Sequence, residues 1–313
     1  MKKNEVAEAI SKDQMLQMVD AMISLIEANP EARWVDELLA RAWPMQANGD
    51  PYSGSNVMWL MFRAKELKSN DPRWFSFLEA KKRGWHVRAG ESATKTVTWK
   101  KFTWAVKDKD GSPKLDEDGD QVFGCKWYPV AYHNVFNACQ IEGVDTWHPE
   151  LKADGDYSDI DTLIASWSIN GPKYEENEMV RTPCYSPSKD KVSVPARRLF
   201  ISSAAFTSAV AHEGAHATGH KSRLAREYGS IFKSKEYAIE EITAQLAASL
   251  WCSRHGINFE DKQFRNDAAY VASWLKGLKK GDDSNVDWIT HCSVAAVAAA
   301  QLLEKEYQNV ANN

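Results

Sequence analysis

The sequence predicts an α+β protein, with an amino-terminal half of mixed α and β structure built on antiparallel strands and a mostly helical carboxy-terminal half. Three observations carry this expectation. Residues 85–107, WHVRAGESATKTVTWKKFTWAVK, are dense in β-branched and aromatic types, which suit a pleated surface. Beyond residue 200 the apolar positions fall at helical spacing over 202–218, 236–255, 264–279 and 284–308. Between these regions, WHPELKADGDYSD (147–159) has the Pro, Gly and Asp of a linker. The boundary is placed there, giving units of 1–150 and 151–313, since a chain of this length more often forms two cores than one.

Taken in order, Met15, Leu16, Val19, Met22, Ile23 and Ile26 predict an opening amphipathic helix, with Ser11 and Gln14 set as a capping box. DPYSGSN (50–56) is turn chemistry, and VMWLMFRAKEL (57–67) is a buried helix with a basic end. Strands follow around the turn at Ala89-Gly90. DKDGSPKLDEDGD (108–120) is the tip of the next hairpin, because Asp-Gly pairs supply positive φ. An EF-hand reading of that stretch fails: counting from Asp108, Gly119 stands at position 12, where a glutamate is needed. KWYPVAYHNVFNACQIEGV (126–144) reads as strand, and a helix near 158–168 and a strand pair ending at 184–195 precede the four long helices.

The net charge of −4 gives no global bias toward nucleic acid or membrane. Five scattered cysteines with no CxxC pair argue against a disulfide framework and a thiolate zinc site, which fits a reducing cytoplasm. The opening MKKNEVAEAISKD lacks an apolar signal core and no run approaches 18 apolar residues, so a cytoplasmic chain without a membrane partner is expected.

The stretch AHEGAHATGH (211–220) carries the chemistry. On a helix, His212 and His216 share a face and can present two imidazole nitrogens to one cation, with Glu213 beside the bound water as general base. This is the HExxH pattern of zinc hydrolases. Small residues at 214, 215 and 217 let other helices approach, and Gly219 suits a C-terminal cap. The longer pattern ending in a third histidine is absent, since Ser222 stands in its place. The third ligand is then expected from EYAIEEITAQLAASLWC (236–252). There Glu241 is favoured over Glu240, because Glu241, Ala244 and Ala248 form a face of small residues, leaving Glu240 as a solvated first-turn acid. Gln245, one turn on, could orient an imidazole. His220 suits the turn better than the metal, and Arg223, Arg226 and Tyr228 are candidates for oxyanion stabilisation. Zn2+ is the expected ion, with Mn2+ or another divalent metal able to occupy such a donor set.

Between Arg63 and Lys107, Lys and Arg outnumber Asp and Glu by twelve to four, interleaved with aromatic residues. Cations that follow a phosphate backbone and rings on which bases stack are what sequence-independent single-strand binding uses. Arg73, Trp74, Lys81, Lys82, Arg83, Trp85, Arg88, Lys100 and Lys101 are the candidate single-stranded-DNA contacts. No motif for reading a duplex groove is present.

Several stretches together resemble one family, the ArdC-type antirestriction proteins of conjugative plasmids, related to the amino-terminal part of plasmid TraC primases. They are PYSGSN (51–56), RWFSFLEAKKRGWHVRAGE (73–91), VFNACQIEGV (135–144), CYSPSKDKVSVP (184–195), AHEGAHATGHKSRL (211–224), YAIEEITAQLAASL (237–250) and YVASWLKGLK (270–279). The resemblance implies a single-stranded-DNA-binding domain with a curved antiparallel sheet and a minigluzincin-like metallopeptidase domain. It implies His212, His216 and Glu241 as metal ligands, Glu213 as catalytic base, and the 185–195 strand along the substrate cleft. Two departures stand out: Gln245 replaces a more usual acidic residue, and Gly214 replaces a bulky apolar one. The function expected is binding of single-stranded DNA and protection of incoming plasmid or phage DNA, beside a metal-dependent site for a protein or peptide substrate. The alternatives are a DNA-coating protein with a purely structural metal, and a metallopeptidase whose basic region only docks substrate.

Overall fold

A computed structural model describes residues 20, 42–108, 111–115, 119–226, 235–257 and 284–312. The helices expected at 11–26 and 264–279, parts of the hairpin tip and Tyr228 lie outside the described residues.

The amino-terminal half is organised by one long hairpin. β3 (Thr94–Ala105) pairs antiparallel with β4 (Phe123–Asn137), and β1 (Trp74–Ser76) adds to the other side of β4 in the order β1-β4-β3. The register slips between Thr98 and Trp99, where Val130 of β4 is the extra residue, and such a bulge bends and twists a strand. β3 would otherwise expose an unpaired edge. Helix α1 (Asn56–Glu66) covers it: the Asn56 side chain donates to Val97 O at 2.8 Å and accepts from Val97 N at 2.9 Å, and Trp59 Nε1 donates to Lys95 O at 3.0 Å.

The stretch 126–144 is not one strand. Asn137 ends β4 by accepting from Cys139 N at 3.1 Å and Ser69 Oγ at 2.8 Å, which starts a 3₁₀ turn over Ala138–Gln140 before β5 (Ile141–Glu142). A side chain that bonds the backbone two residues on competes with the ladder and turns the chain. β5 then pairs with β2 (His86–Val87). Between β1 and β2 lies α2 (Phe77–Lys82), started by a reciprocal capping box between Ser76 and Glu79.

The carboxy-terminal half opens with α3 (Ser158–Asn170). A three-stranded sheet follows, in the order β6-β8-β7, in which β6 (Lys173–Asn177) runs parallel to β8 (Lys191–Pro195) and β7 (Cys184–Ser186) is antiparallel at the edge. Helices α4 (Ser203–Thr218), α5 (Lys235–Arg254) and α6 (Ser284–Ala311) follow among the described residues. The fold is therefore mixed α and β with small sheets and a helical carboxy-terminal region, in line with the sequence reading.

The largest apolar core includes Leu163, Trp167, Val210, Leu246, Trp251 and Leu303, joined by Trp43, Val57, Met58, Met61 and Phe62 from before and within α1. The other side of α1, Leu60 and Ala64, packs with Trp74 and Val135 of the sheet. One short helix thus contacts both halves of the chain. Among the described residues no helix is long and apolar enough to cross a membrane, and Cys139, Cys184, Cys252 and Cys292 are free thiols.

Candidate metal centre and nucleic-acid face

Helix α4 is buried along nearly its whole length, and this is what brings its histidines inside. Ser202 starts it, accepting from Ala205 N at 3.0 Å. At its end Gly219 keeps a right-handed φ of −78°, so the left-handed cap expected of a glycine is not used. Two arginines do that work: Arg223 Nε donates to Ala217 O at 2.7 Å and Arg226 Nη2 to Ala215 O at 2.8 Å. Both add a bond to carbonyls of the last helical turn, which also accept from His220 N and Thr218 Oγ1, and place positive charge at the negative end of the dipole. Arg223 also forms an ion pair with Asp190, which accepts from Tyr185 as well, so it ties the β7–β8 turn to α4. These are structural engagements of two of the residues named as oxyanion candidates.

His212, His216 and Glu241 come together. One donor atom from each lies within 4.8 Å of the others, and this is the group of metal-ligating side chains found among the described residues. The two Nε2 atoms are 3.1 Å apart, with Glu241 oxygens 3.5 Å from His212 Nε2 and 3.6 Å from His216 Nε2. Tetrahedral donors at metal bonds of about 2.05 Å are separated by about 3.3 Å, and each closest approach here is near that value, with Glu241 Oε2 toward His212 and Oε1 toward His216.

The far nitrogens explain the orientation. His212 Nδ1 lies 2.8 Å from Gln245 Oε1, and His216 Nδ1 lies 3.1 Å from Glu240 Oε1. With Nδ1–H donating in each ring, both Nε2 atoms carry lone pairs aimed at one another, which is repulsive unless a cation or proton sits between them. Burial disfavours a charged His216, but Glu241 and Glu240 outweigh it and raise its pKa well above the ordinary value. Burial likewise opposes ionised Glu241, yet His216 and His212 hold its carboxyl far below the usual range. A field that favours a proton at this point favours a metal cation for the same reason.

Glu240 was expected in solvent and is not. It is 6% exposed, pairs with Arg226 at 2.7 and 3.0 Å, and orients His216. Sequence reasoning missed this job. The signal was the EE pair itself, because adjacent helical residues point about 100° apart and one can reach the metal while the other reaches the back of a ligand. Glu213 is buried on α4, and burial, then the Glu213 charge, raises the Cys184 thiol on β7. His220 bonds Ser222 at 2.8 Å and stands outside the triad. Gly214 is explained by close approach: a Cβ there would lie 2.8 Å from the Trp167 ring and 3.4 Å from Leu303.

The candidate nucleic-acid residues divide. Trp74 is 1% exposed and belongs to the core, because β1 is backed by α1, so it cannot offer a stacking face and is withdrawn from the set. Arg73 is held by Asp71 at 2.7 Å and Asp145 at 3.0 Å. Trp85 packs edge-on to Phe75, with Arg83 over both rings at 5.3 Å while its Nη2 donates to Ala47 O at 2.7 Å. Arg88 bonds Cys139 O. Lys81, Lys82 and Lys100 are exposed, and Lys101 lies on β3. The exposed rings include ones outside that set: on β3, Phe102 and Trp104 share a strand face with Lys100, at 44% and 49% exposure. Lys100 Nζ sits 5.6 Å from the Phe102 ring centre. The imperfect alternation of TKTVTWKKFTWAVK hid which rings faced out.

Comparison with known proteins finds similarity over both halves of the chain. Residues 12–136 match the model of the N-terminal domain of anti-restriction factor ArdC, and residues 169–287 match that of a zincin-like metallopeptidase domain. The crystal structure of the antirestriction protein ArdC from plasmid R388, in a metal-free form, superposes with a TM-score of 0.67 at 29% identity, covering 94% of this chain and 98% of that one. The chain belongs to the ArdC antirestriction family. The Mn(II)-bound form of the same ArdC superposes with a TM-score of 0.66 at 29% identity and the same coverage. A DNA primase TraC of Escherichia coli is 32% identical over 237 residues, which are 74% of this ArdC-type chain but 21% of that primase. The chain thus spans only a small part of the curated primases it matches.

Proposed function

We propose that this chain is a cytoplasmic antirestriction protein that binds single-stranded DNA without sequence preference, protects incoming plasmid or phage DNA, and carries a divalent-metal-dependent peptidase-like site. In this reading residues 1–150 form the DNA-binding domain and 151–313 the metallopeptidase domain. The observation that carries the site is the triangle of His212, His216 and Glu241, with both imidazoles fixed from behind. The ArdC relative with Mn(II) supports a divalent ion, and two imidazoles with one carboxylate also suit Zn2+.

A bound ion of this kind polarises a peptide carbonyl and acidifies water. The chain's own groups do the rest. Gln245 and Glu240 hold the imidazoles in the tautomer that turns Nε2 inward. Glu213, buried on α4 one residue from His212, takes a proton from water and passes it to the leaving amine. A peptide laid beside β7 would reach it as an added strand.

The test is metal content by mass spectrometry on the full chain and on His212→Ala, Glu213→Ala and Glu241→Ala, with oligonucleotide binding and peptide cleavage on the same samples. About one metal per chain is expected, lost in the first and third variants and kept in the second. Cleavage abolished by Glu213→Ala with DNA binding intact supports a catalytic site. DNA protection and cleavage assays unmoved by Glu213→Ala would make the metal structural.

A further inference from the structure

The loop PYSGSN is left without a task by the reading above. It forms one wall of a cavity of about 880 Å³ that also touches β3, α2 and α6. Gly54 has a left-handed φ of +61°, and Ser55 follows in the right-handed region at φ −63° and ψ −20°. Alternation of that kind turns successive N–H groups toward one point and makes a concavity for an anion. It lies at the positive end of the eleven-residue helix α1. Ser293 of α6 donates to Gly54 O at 3.0 Å, fixing the loop's carbonyl on the side of that helix.

Ser55 is the second, independent indication. It lines the cavity and is 7% exposed, yet it caps no helix N–H and its hydroxyl has no hydrogen-bond partner among the described residues. A hydroxyl without a protein partner that opens on a cavity, on a residue otherwise buried, is free to donate to a ligand acceptor there. The charge of the lining selects the ligand. Lys82 is its cation and Glu79 its carboxylate, the latter engaged with Ser76 N at 2.9 Å. Such a balanced wall suits a singly charged phosphodiester better than a dianionic monoester or a polyphosphate. The cavity is far larger than a phosphate, and Tyr52, Trp99 and Val297 give the remainder an aromatic and apolar surface for a base.

We propose that PYSGSN is a phosphodiester clamp. The N–H groups at 54–56 and Ser55 Oγ donate to one backbone phosphate of a single strand, Lys82 offsets its charge, and the neighbouring base enters the cavity beside Trp99. This rests on the reading that the chain binds single-stranded DNA.

The experiment measures binding of a labelled oligothymidylate to the full chain by anisotropy, over a range of salt, with Ser55→Asp and Ser55→Ala beside the parent. Aspartate is as good an N-cap as serine, so Ser55→Asp keeps the fold and places a carboxylate where the phosphate would lie. The expected result is binding weakened about tenfold or more with an unchanged or raised Tm, and a salt slope reduced by about 0.7, the share of one phosphate contact on a single strand. Ser55→Ala should weaken binding about threefold. Salt-sensitive binding by the parent with the same affinity and slope in Ser55→Asp overturns the clamp and leaves the DNA reading standing. Absence of salt-sensitive binding by the parent overturns both. In competition, the dinucleotide TpT should displace the oligomer at lower concentration than inorganic phosphate. Equal displacement would reassign the site to free phosphate and overturn the diester assignment.

Discussion

Replacing Glu240 separates the two glutamates of the EE pair. In the folded chain its carboxylate accepts from Arg226 Nη2 at 2.7 Å, Arg226 Nε at 3.0 Å and His216 Nδ1 at 3.1 Å. Arg226 is itself buried and also bonded to Ala215 O and Thr218 Oγ1, so it cannot swing into solvent when its partner is removed. Glu240→Ala therefore leaves a buried guanidinium uncompensated, a loss of about 3–5 kcal/mol in stability. It also removes the acceptor that holds His216, which lowers metal affinity about 10- to 100-fold, or about 1.4–2.7 kcal/mol. The two effects come apart in the double variant with Arg226→Met. There much of the stability returns because both charges are gone, while metal affinity stays low because His216 still lacks its acceptor. Denaturant melts and competition titrations with a metal chelator read the two quantities separately. Glu241→Ala should abolish high-affinity binding outright. The reasoning is refuted if Glu240→Ala loses metal as completely as Glu241→Ala does, or if it leaves both stability and affinity unchanged.

Three further outcomes follow from particular contacts. Burial, then the nearby Asp190, lifts Glu306 to about 7 against the opposing effects of Arg223 and of Trp167 Nε1 at 3.1 Å. Because the folded chain holds this proton more tightly than the unfolded one, its contribution is full below pH 4.5 and lost as pH rises through 7. Glu306→Gln should match the parent in urea melts at pH 4.5 and exceed it by up to about 3 kcal/mol at pH 8; equal differences at both values would rule this out. Gly214→Ala gains about 1 kcal/mol in helix propensity but forces the buried Trp167 ring off its 2.8 Å approach, at about 1–3 kcal/mol. A net loss of up to about 2 kcal/mol is expected, and a more stable variant would show that the ring yields freely. Trp104→Ala should weaken oligonucleotide binding by about 1–3 kcal/mol with Tm unchanged, whereas Trp74→Ala should cost about 3–5 kcal/mol of stability. The opposite pattern would place the stacking face on β1.

The boundary between what was legible in the sequence and what was not follows the range of the interaction. The helical pairing of His212 and His216, with Glu213 between them, is a local matter, because residues four apart on a helix share a face whatever surrounds them. The strand character of 94–105, the Asp-Gly hairpin tip and helices α1 and α4 were readable on the same grounds. The small-residue face favoured Glu241 as the ligand, but only packing gave Glu240 its role: α5 lay against α4 and turned one acid toward Nε2 and the other toward Nδ1 and Arg226. Packing also decided that Trp74 is core and Trp104 is surface, since both sit in aromatic, basic stretches and differ in whether α1 covers them. The parallel pairing of β6 with β8 and the break in the chain at Asn137 were likewise invisible to periodicity. A pattern of apolar residues states which faces must be covered. What covers them, and hence which polar groups are driven inside together, is settled by contacts between residues far apart in the chain.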